Sequence, residues 1–192
     1  MTVTHSLRRF LRLPQTPETR AEALVFSTLI VVFLVFLGGA LNYAAREHRD
    51  GVRRQQLRAI KTELEQWYNS TNGFPIHPSG DLGWCGSSTD PDDWFFVGFL
   101  KRERQWTTPI RDSKASRGFA FRYCPTLLAE KNGERNPFAA GFFLEATLEN
   151  RRLESAGFNA EHNVFERTFT PNGRTRYWIC GGRETQCGTE HP

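Results

Sequence analysis

An uncharged stretch of 23 residues, Ala23 to Ala45, constrains this chain more than any other feature of its sequence. As an α-helix it is roughly 34 Å long, which is enough to cross a bilayer core of about 30 Å. No proline or turn signal separates it from the amphipathic segment that ends near Tyr68. The sequence therefore predicts one continuous helix, from about Glu22 to Tyr68, that begins as a transmembrane span and ends inside a soluble domain.

The second half of this helix carries an apolar stripe whose members are three or four residues apart. This spacing is typical of one face of a helix with 3.6 residues per turn, so we expect the stripe to be buried in the domain. Asn72-Gly73 and the following Pro75 predict the end of the helix. The stripe comprises Leu57, Ile60, Leu64, Trp67 and Tyr68, and the charged residues expected to flank it are Arg53, Arg54, Arg58, Lys61, Glu63 and Glu65.

Length and charge limit the number of domains and the classes of partner. Of the 192 residues, the 147 that follow Ala45 suffice for one hydrophobic core. The net charge of +4 divides equally, with +2 on residues 1–45 and +2 on the rest, so neither part predicts nucleic-acid binding. We interpret the chain as a cytoplasmic tail (1–22), a transmembrane helix (23–45) and an extracytoplasmic domain (46–192).

Four cysteines, Cys85, Cys124, Cys180 and Cys187, all follow the apolar stretch. An even number in a small exported domain indicates disulfides, and three connectivities are open. Cys180 and Cys187 bracket a glycine-containing tip that can close on itself, which leaves Cys85 to pair with Cys124. A four-cysteine zinc site is the alternative, but neither pair has the two- to four-residue spacing of zinc ribbons. We therefore expect disulfides, with no metal and no cofactor.

The cysteines also favour one orientation in the membrane. Arginines lie on both sides of the span, so the positive-inside rule alone does not decide. A cleaved signal peptide is the alternative, but its apolar region is 7–15 residues long, and Tyr43-Ala44-Ala45 is a poor cleavage site. Because disulfides form outside the cytoplasm, we expect a single-pass protein of the cytoplasmic (inner) membrane with its N-terminus inside.

A two-residue period replaces the helical period in the second half of the domain. Alternating side chains predict strands over residues 119–124, 142–148, 164–170 and 174–180, and Pro171-Asn172-Gly173 predicts a hairpin between the last two. The expected fold class is α+β, with a three- or four-stranded antiparallel sheet on the long helix. One face of the sheet should cover the apolar stripe, and the other should face water.

Thr89 to Asp93 precede a short apolar segment, Trp94 to Leu100. Carboxylates are favourable at a helix N-terminus, so these residues predict the start of a short helix. A calcium loop is the alternative, but no glycine or distal glutamate completes its pattern.

The residues Arg49-Asp50-Gly51-Val52-Arg53-Arg54, the stripe after them and Gly73-Phe74-Pro75 resemble type IV pilins and type II secretion pseudopilins. In those families an apolar N-terminal helix leads into an R-D-x-x-R-R segment, an L-x-x-I-x-x-x-L-x-x-Y-Y stripe and a G-x-Y-P loop. The resemblance covers about residues 22–150 and includes the first two predicted strands, at Phe119–Tyr123 and from Phe143 onward. It implies a pilin-like fold, other pilin-like subunits or an assembly platform as partners, and a disulfide near the C-terminus.

The start of the helix departs from the family pattern. Family members carry a G-F-T-L-I-E-like motif and are cleaved after the glycine, whereas Pro17-Glu18-Thr19-Arg20-Ala21-Glu22 has no glycine and no following phenylalanine. Glu22 stands where the family's helix glutamate lies, which implies a role in assembly. The alternative for Glu22 is a solvated residue in the first turn of the helix.

Catalytic motifs are missing from the sequence. None of the five histidines lies in H-E-x-x-H, and neither G-x-S-x-G nor a phosphate-binding glycine loop occurs. We therefore expect no enzymatic activity, and three hypotheses for the function stay open. The first is a pilin-like structural subunit or minor component of a filament, and the second is a membrane-anchored extracytoplasmic binding module that has lost polymerisation. The third is a hydrolase with an unrecognised site.

Overall fold

The computed structural model describes residues 17–107, 110, 112, 114–131, 134–160 and 164–182. The chain divides into two compact units, Met1–Ala45 and Arg46–Pro192. Each unit is described by itself below.

Helix α1 spans Pro17–Thr71 without a break. It begins earlier than the sequence predicts, so the last residues assigned to the tail are helical. It ends where Asn72 adopts a positive φ of 59° and donates its backbone N–H to the carbonyl of Tyr68 at 2.7 Å. That left-handed residue is a common way to terminate a helix, because it satisfies one of the last free carbonyls.

Of the first unit, the structure describes residues 17–45, which form the beginning of α1. Every side chain from residue 21 to residue 45 is exposed. In the described part of the chain, α1 is one helix that is long and apolar enough to cross a membrane. Length and composition thus agree with the single-pass span expected from the sequence.

The second unit is built on an antiparallel sheet of six strands in the order β1-β2-β3-β6-β5-β4. The α+β class agrees with the sequence, but the expected number of three or four strands is wrong. The strands are β1 (Gly86–Ser87), β2 (Phe121–Lys131), β3 (Glu134–Leu148), β4 (Ser155–Asn159), β5 (Val164–Phe169) and β6 (Thr175–Gly182).

The two strands that the sequence did not predict lie at the edges of the sheet. β1 has only two residues and pairs with Tyr123 and Arg122 of β2. β4 consists mainly of exposed, small or polar residues and pairs with β5. Neither strand alternates apolar and polar side chains, because an edge strand that buries no side chain needs no such pattern.

The core lies between the inner face of the sheet and the second half of α1. Leu57, Ile60 and Leu64 are completely or almost completely buried in it. Trp67 is partly buried and meets the ring of Phe99 edge-on, with 5.1 Å between ring centroids. The sheet contributes Phe121, Tyr123, Phe142, Leu144, Ala146, Leu148, Tyr177 and Ile179.

Two of the charged residues expected to flank the stripe are buried instead. Arg53 is 3% exposed and Lys61 is 6% exposed. Each is ion-paired, Lys61 with Glu65 at 2.7 Å and Arg53 with Asp50 at 2.7 Å. A buried cation needs such a partner, because desolvation without one is very costly.

The outer face of the sheet is also less polar than expected. Trp178 and Cys180 are buried there and pack with Phe143, Phe165 and Phe169. The Trp178 indole N–H donates to the Glu145 carboxylate at 2.9 Å, which satisfies the polar atom of this cluster. The expectation that this face is solvated is therefore wrong, because the outward-facing positions of β3, β5 and β6 carry aromatic rings.

A disulfide and a carboxylate tie the 85–93 segment to the sheet. Cys85 is bonded to Cys124 of β2, as expected. The Asp93 side chain accepts from the backbone N–H groups of Phe95 and Phe96 and caps a π-helix, Trp94–Glu103. It also accepts from Ser87 N at 2.7 Å. This carboxylate acts as a helix cap, the first of the two alternatives for the acidic segment.

Candidate functional site

The stem, which we define as residues 21–45 of α1, presents an apolar surface. It exposes large apolar side chains from Leu24 to Tyr43. The hydroxyls of Ser27 and Thr28 donate to the carbonyl of Leu24 at 3.0 and 2.8 Å, so these two polar groups are satisfied within the helix. Internal satisfaction of this kind is what a helix in hydrocarbon requires.

Glu22 is exposed at the start of the stem and is its only charged residue. The side chains of residues 17–20 are not among those described. Both interpretations of Glu22, an assembly residue and a solvated first-turn residue, therefore remain predictions.

The base network is a group of charged side chains where α1 meets the sheet: Asp50, Arg53, Asp112 and Glu149. Asp50 is completely buried and accepts from the Arg53 guanidinium and from the backbone N–H groups of Glu149 and Asn150 at 2.8 and 2.9 Å. Arg53 donates through two nitrogens to the Asp112 carboxylate. Asp50 thus fixes the residues after β3 to the helix, and Arg53 fixes the segment at Asp112 to it.

Glu149 is the acceptor for three cations. Arg49 binds it through two nitrogens at 2.6 and 2.8 Å, Lys114 at 2.5 Å and Arg53 at 3.0 Å. The hydrogen bonds from Arg49, followed by those from Lys114 and Arg53, lower the pKa of the Glu149 carboxyl far below its usual range. Glu149 therefore stays ionised at neutral pH.

A second carboxylate, Glu47, lies beside the base network. It binds Arg54 at 3.0 Å, the Asn150 side-chain amide at 3.1 Å and the Arg152 guanidinium. Burial opposes its charge, but the hydrogen bond from Asn150 and the charge of Arg152 lower the pKa of Glu47 overall. The loop after β3 is thus held to the first turn of the domain helix.

The chemistry of this arrangement is structural. Its carboxylates accept from guanidinium, ammonium and backbone N–H donors, and a carboxylate whose oxygens are occupied in this way is a poor nucleophile or general base. In the described part of the chain, no group of three His, Cys, Asp or Glu side chains could hold a metal ion. Cys85 and Cys124 are bonded to each other, so they are not available as zinc ligands.

A surface cavity of about 390 Å³ lies between the π-helix and the 88–91 segment. Phe96, Val97, Trp106 and Ile110 supply its apolar walls. Asp90 and Lys101 are the charged residues that line it, a set without a nucleophile–base pair.

The structure brings together some of the predicted residues and leaves others apart. Leu57, Ile60, Leu64 and Trp67 share one core, whereas Glu22 belongs to the other unit. Cys180 is buried at the end of β6. Cys187 lies outside the described residues, so its pairing with Cys180 stays a prediction.

Sequence reasoning missed the base network, although a signal for it existed. Asp50 and Arg53 precede Leu57 with spacings of three and four residues, so they continue the apolar stripe in phase. Charged residues in phase with a buried stripe must themselves be buried, and buried charges need partners.

Comparisons with family models, with curated proteins and with solved structures found no match to this chain.

Proposed function

We propose that this chain is a pilin-like structural subunit or minor component of a type IV pilus or type II secretion filament. The observation that carries the proposal is the division of α1. One unbroken helix, Pro17–Thr71, exposes an apolar first part, and its second part places Leu57, Ile60 and Leu64 in the core of a sheet-containing domain. An exposed apolar helix needs lipid or other helices around it. A membrane-anchored subunit of a helical filament has both.

The disulfide supports an extracytoplasmic domain. Cys85 and Cys124 are joined, and such bonds persist in oxidising compartments and are rare in the cytosol. We therefore place the N-terminus on the cytoplasmic side of the inner membrane and residues 46–192 on the opposite side. The protein then belongs to this membrane or to a cell-surface filament. The partners in this function are the membrane and other pilin-like subunits or an assembly platform.

A second function is favoured by the start of the helix. Pro17 to Glu22 lack the glycine–phenylalanine motif that pilin processing uses, although they are followed by a suitable apolar helix. A chain that is not processed keeps residues ahead of the stem. In this alternative the protein is a membrane-anchored extracytoplasmic binding module that has lost polymerisation, and the stem contacts lipid alone.

The native assembly state distinguishes the two functions. We would extract the protein from its own membrane in mild detergent, determine its mass as a native complex and measure the mass of its N-terminal peptide. The filament function predicts a complex that contains several copies or other subunits with long apolar N-terminal helices. A monomer with an unprocessed N-terminus would instead favour the binding module.

A further inference from the structure

We infer that the domain binds the phosphate groups of anionic phospholipids at the end where the chain enters it, through Arg117, Arg151, Arg174 and the neighbouring Leu153. This function goes beyond filament assembly. It requires only the membrane anchor, which both proposed functions share.

Three arginines line one cavity of about 220 Å³ at this end of the domain. Arg117 and Arg151 are exposed, and Arg174 is exposed next to Gly118, where an added Cβ would lie 2.8 Å from its guanidinium. Among the described residues, no carboxylate forms an ion pair with any of the three. Their charges are therefore available to a ligand.

Glu149 also lines the cavity, but its charge is already neutralised by Arg49, Arg53 and Lys114. The surroundings remain positive. The base network, the cavity and the two further cations that bind Glu149 together hold six cationic side chains and three carboxylates, which leaves an excess of three positive charges. The cations are Arg49, Arg53, Lys114, Arg117, Arg151 and Arg174, and the carboxylates are Asp50, Asp112 and Glu149.

The exposure of Leu153 is a second, independent indication of a lipid surface. Its side chain is 92% exposed, and it directly follows Arg151 and Arg152. An exposed leucine beside arginines is typical of segments that lie in the headgroup region, where the apolar chain enters the acyl boundary and guanidiniums bind phosphates.

The loop after β3, which contains Arg151 and Leu153, lies at a position in the chain that suits lipid binding. The Arg152 guanidinium binds Glu47, and the backbone N–H of Asn150 donates to Asp50. Glu47 follows Ala45, the last residue of the stem, by two positions. The loop is thus fixed to the first residues of the domain, where a chain emerging from a bilayer meets the headgroups.

Phosphate is the ligand that the arginines favour. Guanidinium groups bind phosphate oxygens through paired, charge-assisted hydrogen bonds, and several guanidiniums around a small cavity can share one phosphate. The exposed side chain of Leu153 can make an apolar contact with a lipid, whereas a free phosphate ion would make no use of that contact. The two features together therefore favour a phospholipid headgroup over a soluble anion.

Hydrogen–deuterium exchange of the full-length protein in lipid nanodiscs tests this inference. Peptides that cover residues 149–154 and 171–176 should exchange about tenfold more slowly in phosphatidylglycerol than in phosphatidylcholine, the factor for lipid at about ten times its Kd. Arg151→Gln/Arg174→Gln should abolish this lipid dependence. The matched control Lys101→Gln/Arg102→Gln removes two exposed cations of the π-helix and should leave it unchanged.

Two further arms separate the lipid from a soluble anion. Glycerol phosphate added to phosphatidylcholine nanodiscs should give little protection, and Leu153→Ser should reduce the protection in phosphatidylglycerol. Peptides over residues 57–64 report whether each variant is folded. Equal exchange in the two lipids, equal protection by glycerol phosphate, or equal loss in the control variant would each overturn the inference. Failure to enter nanodiscs at all would contradict the membrane anchor instead.

Discussion

Asp50 and Arg53, three residues apart on α1, form an ion pair at 2.7 Å with both side chains almost completely excluded from solvent. Asp50 also accepts two backbone N–H groups from the loop after β3, and Arg53 reaches Asp112. The pair therefore connects the helix to two separate segments of the domain. Without Arg53, Asp50 would be a buried charge with no ionic partner, and without Asp50, Arg53 would keep only Asp112 and Glu149.

Removing one member of this pair should lower the free energy of unfolding much more than removing one member of an exposed ion pair. Asp50→Ala leaves Arg53 short of a partner and two backbone N–H groups unsatisfied, so we expect a loss of about 3–5 kcal/mol in the free energy of unfolding. Denaturant unfolding in detergent measures it. The control Arg54→Ala, whose partner Glu47 is more exposed, should cost at most about 1 kcal/mol. Equal losses for the two variants would refute the role of the base network.

Glu149 makes the stability of the domain depend on pH in the acid range. Hydrogen bonds from Arg49, and then from Lys114 and Arg53, lower its pKa in the folded state below the unfolded value of about 4.3. The unfolded chain then binds the proton first, so the stabilisation is present at neutral pH and is lost as the pH falls below about 5. Glu149→Gln should lower the stability at pH 7 and flatten this dependence. Parallel pH profiles for the two proteins would contradict the account.

Leu64 tests the packing of the helix on the sheet. It is fully buried in the core, so Leu64→Ala should reduce the free energy of unfolding by about 2–5 kcal/mol. Leu153→Ala, at an exposed position, should change it in detergent by no more than about 0.5 kcal/mol. A change at Leu64 no larger than at Leu153 would mean that this face of the helix is not part of the core.

The disulfide between Cys85 and Cys124 should be a major source of stability. It closes a loop with a sequence separation of 39 residues, worth about 4 kcal/mol on the chain-entropy estimate. The double variant Cys85→Ser/Cys124→Ser should lose about this much in denaturant unfolding. Non-reducing peptide mapping is the companion measurement, and a peptide that joins Cys124 to Cys180 would contradict the structure.

Periodicity was enough to predict the helix and the central strands. The apolar stripe and the alternating segments of β3 and β6 carry a strong pattern, since each packs a defined face into the core. The edge strands β1 and β4 could not be found in this way, because burial imposes no pattern on them. Their hydrogen bonds come from neighbouring strands that are distant in sequence.

The base network could be predicted from the sequence only in part. Asp50 and Arg53 lie in phase with the stripe, so their burial could have been predicted from the sequence. Their partners Asp112 and Glu149 could not, because they lie 59 and 96 residues from Arg53 and only the fold brings them together. The same holds for Arg117, Arg151 and Arg174, which three separate segments bring to one cavity.

Photocrosslinking from within the stem tests most directly the proposal that the stem of α1 assembles with other helices. Phe36, an exposed residue of the stem, would be replaced by p-benzoylphenylalanine in the native membrane. If the stem assembles with other helices, we expect adducts with a second copy or with another subunit that has a long apolar N-terminal helix. These adducts should disappear in a detergent that dissociates assemblies. Adducts with lipid alone, in membranes that contain the whole assembly machinery, would contradict it.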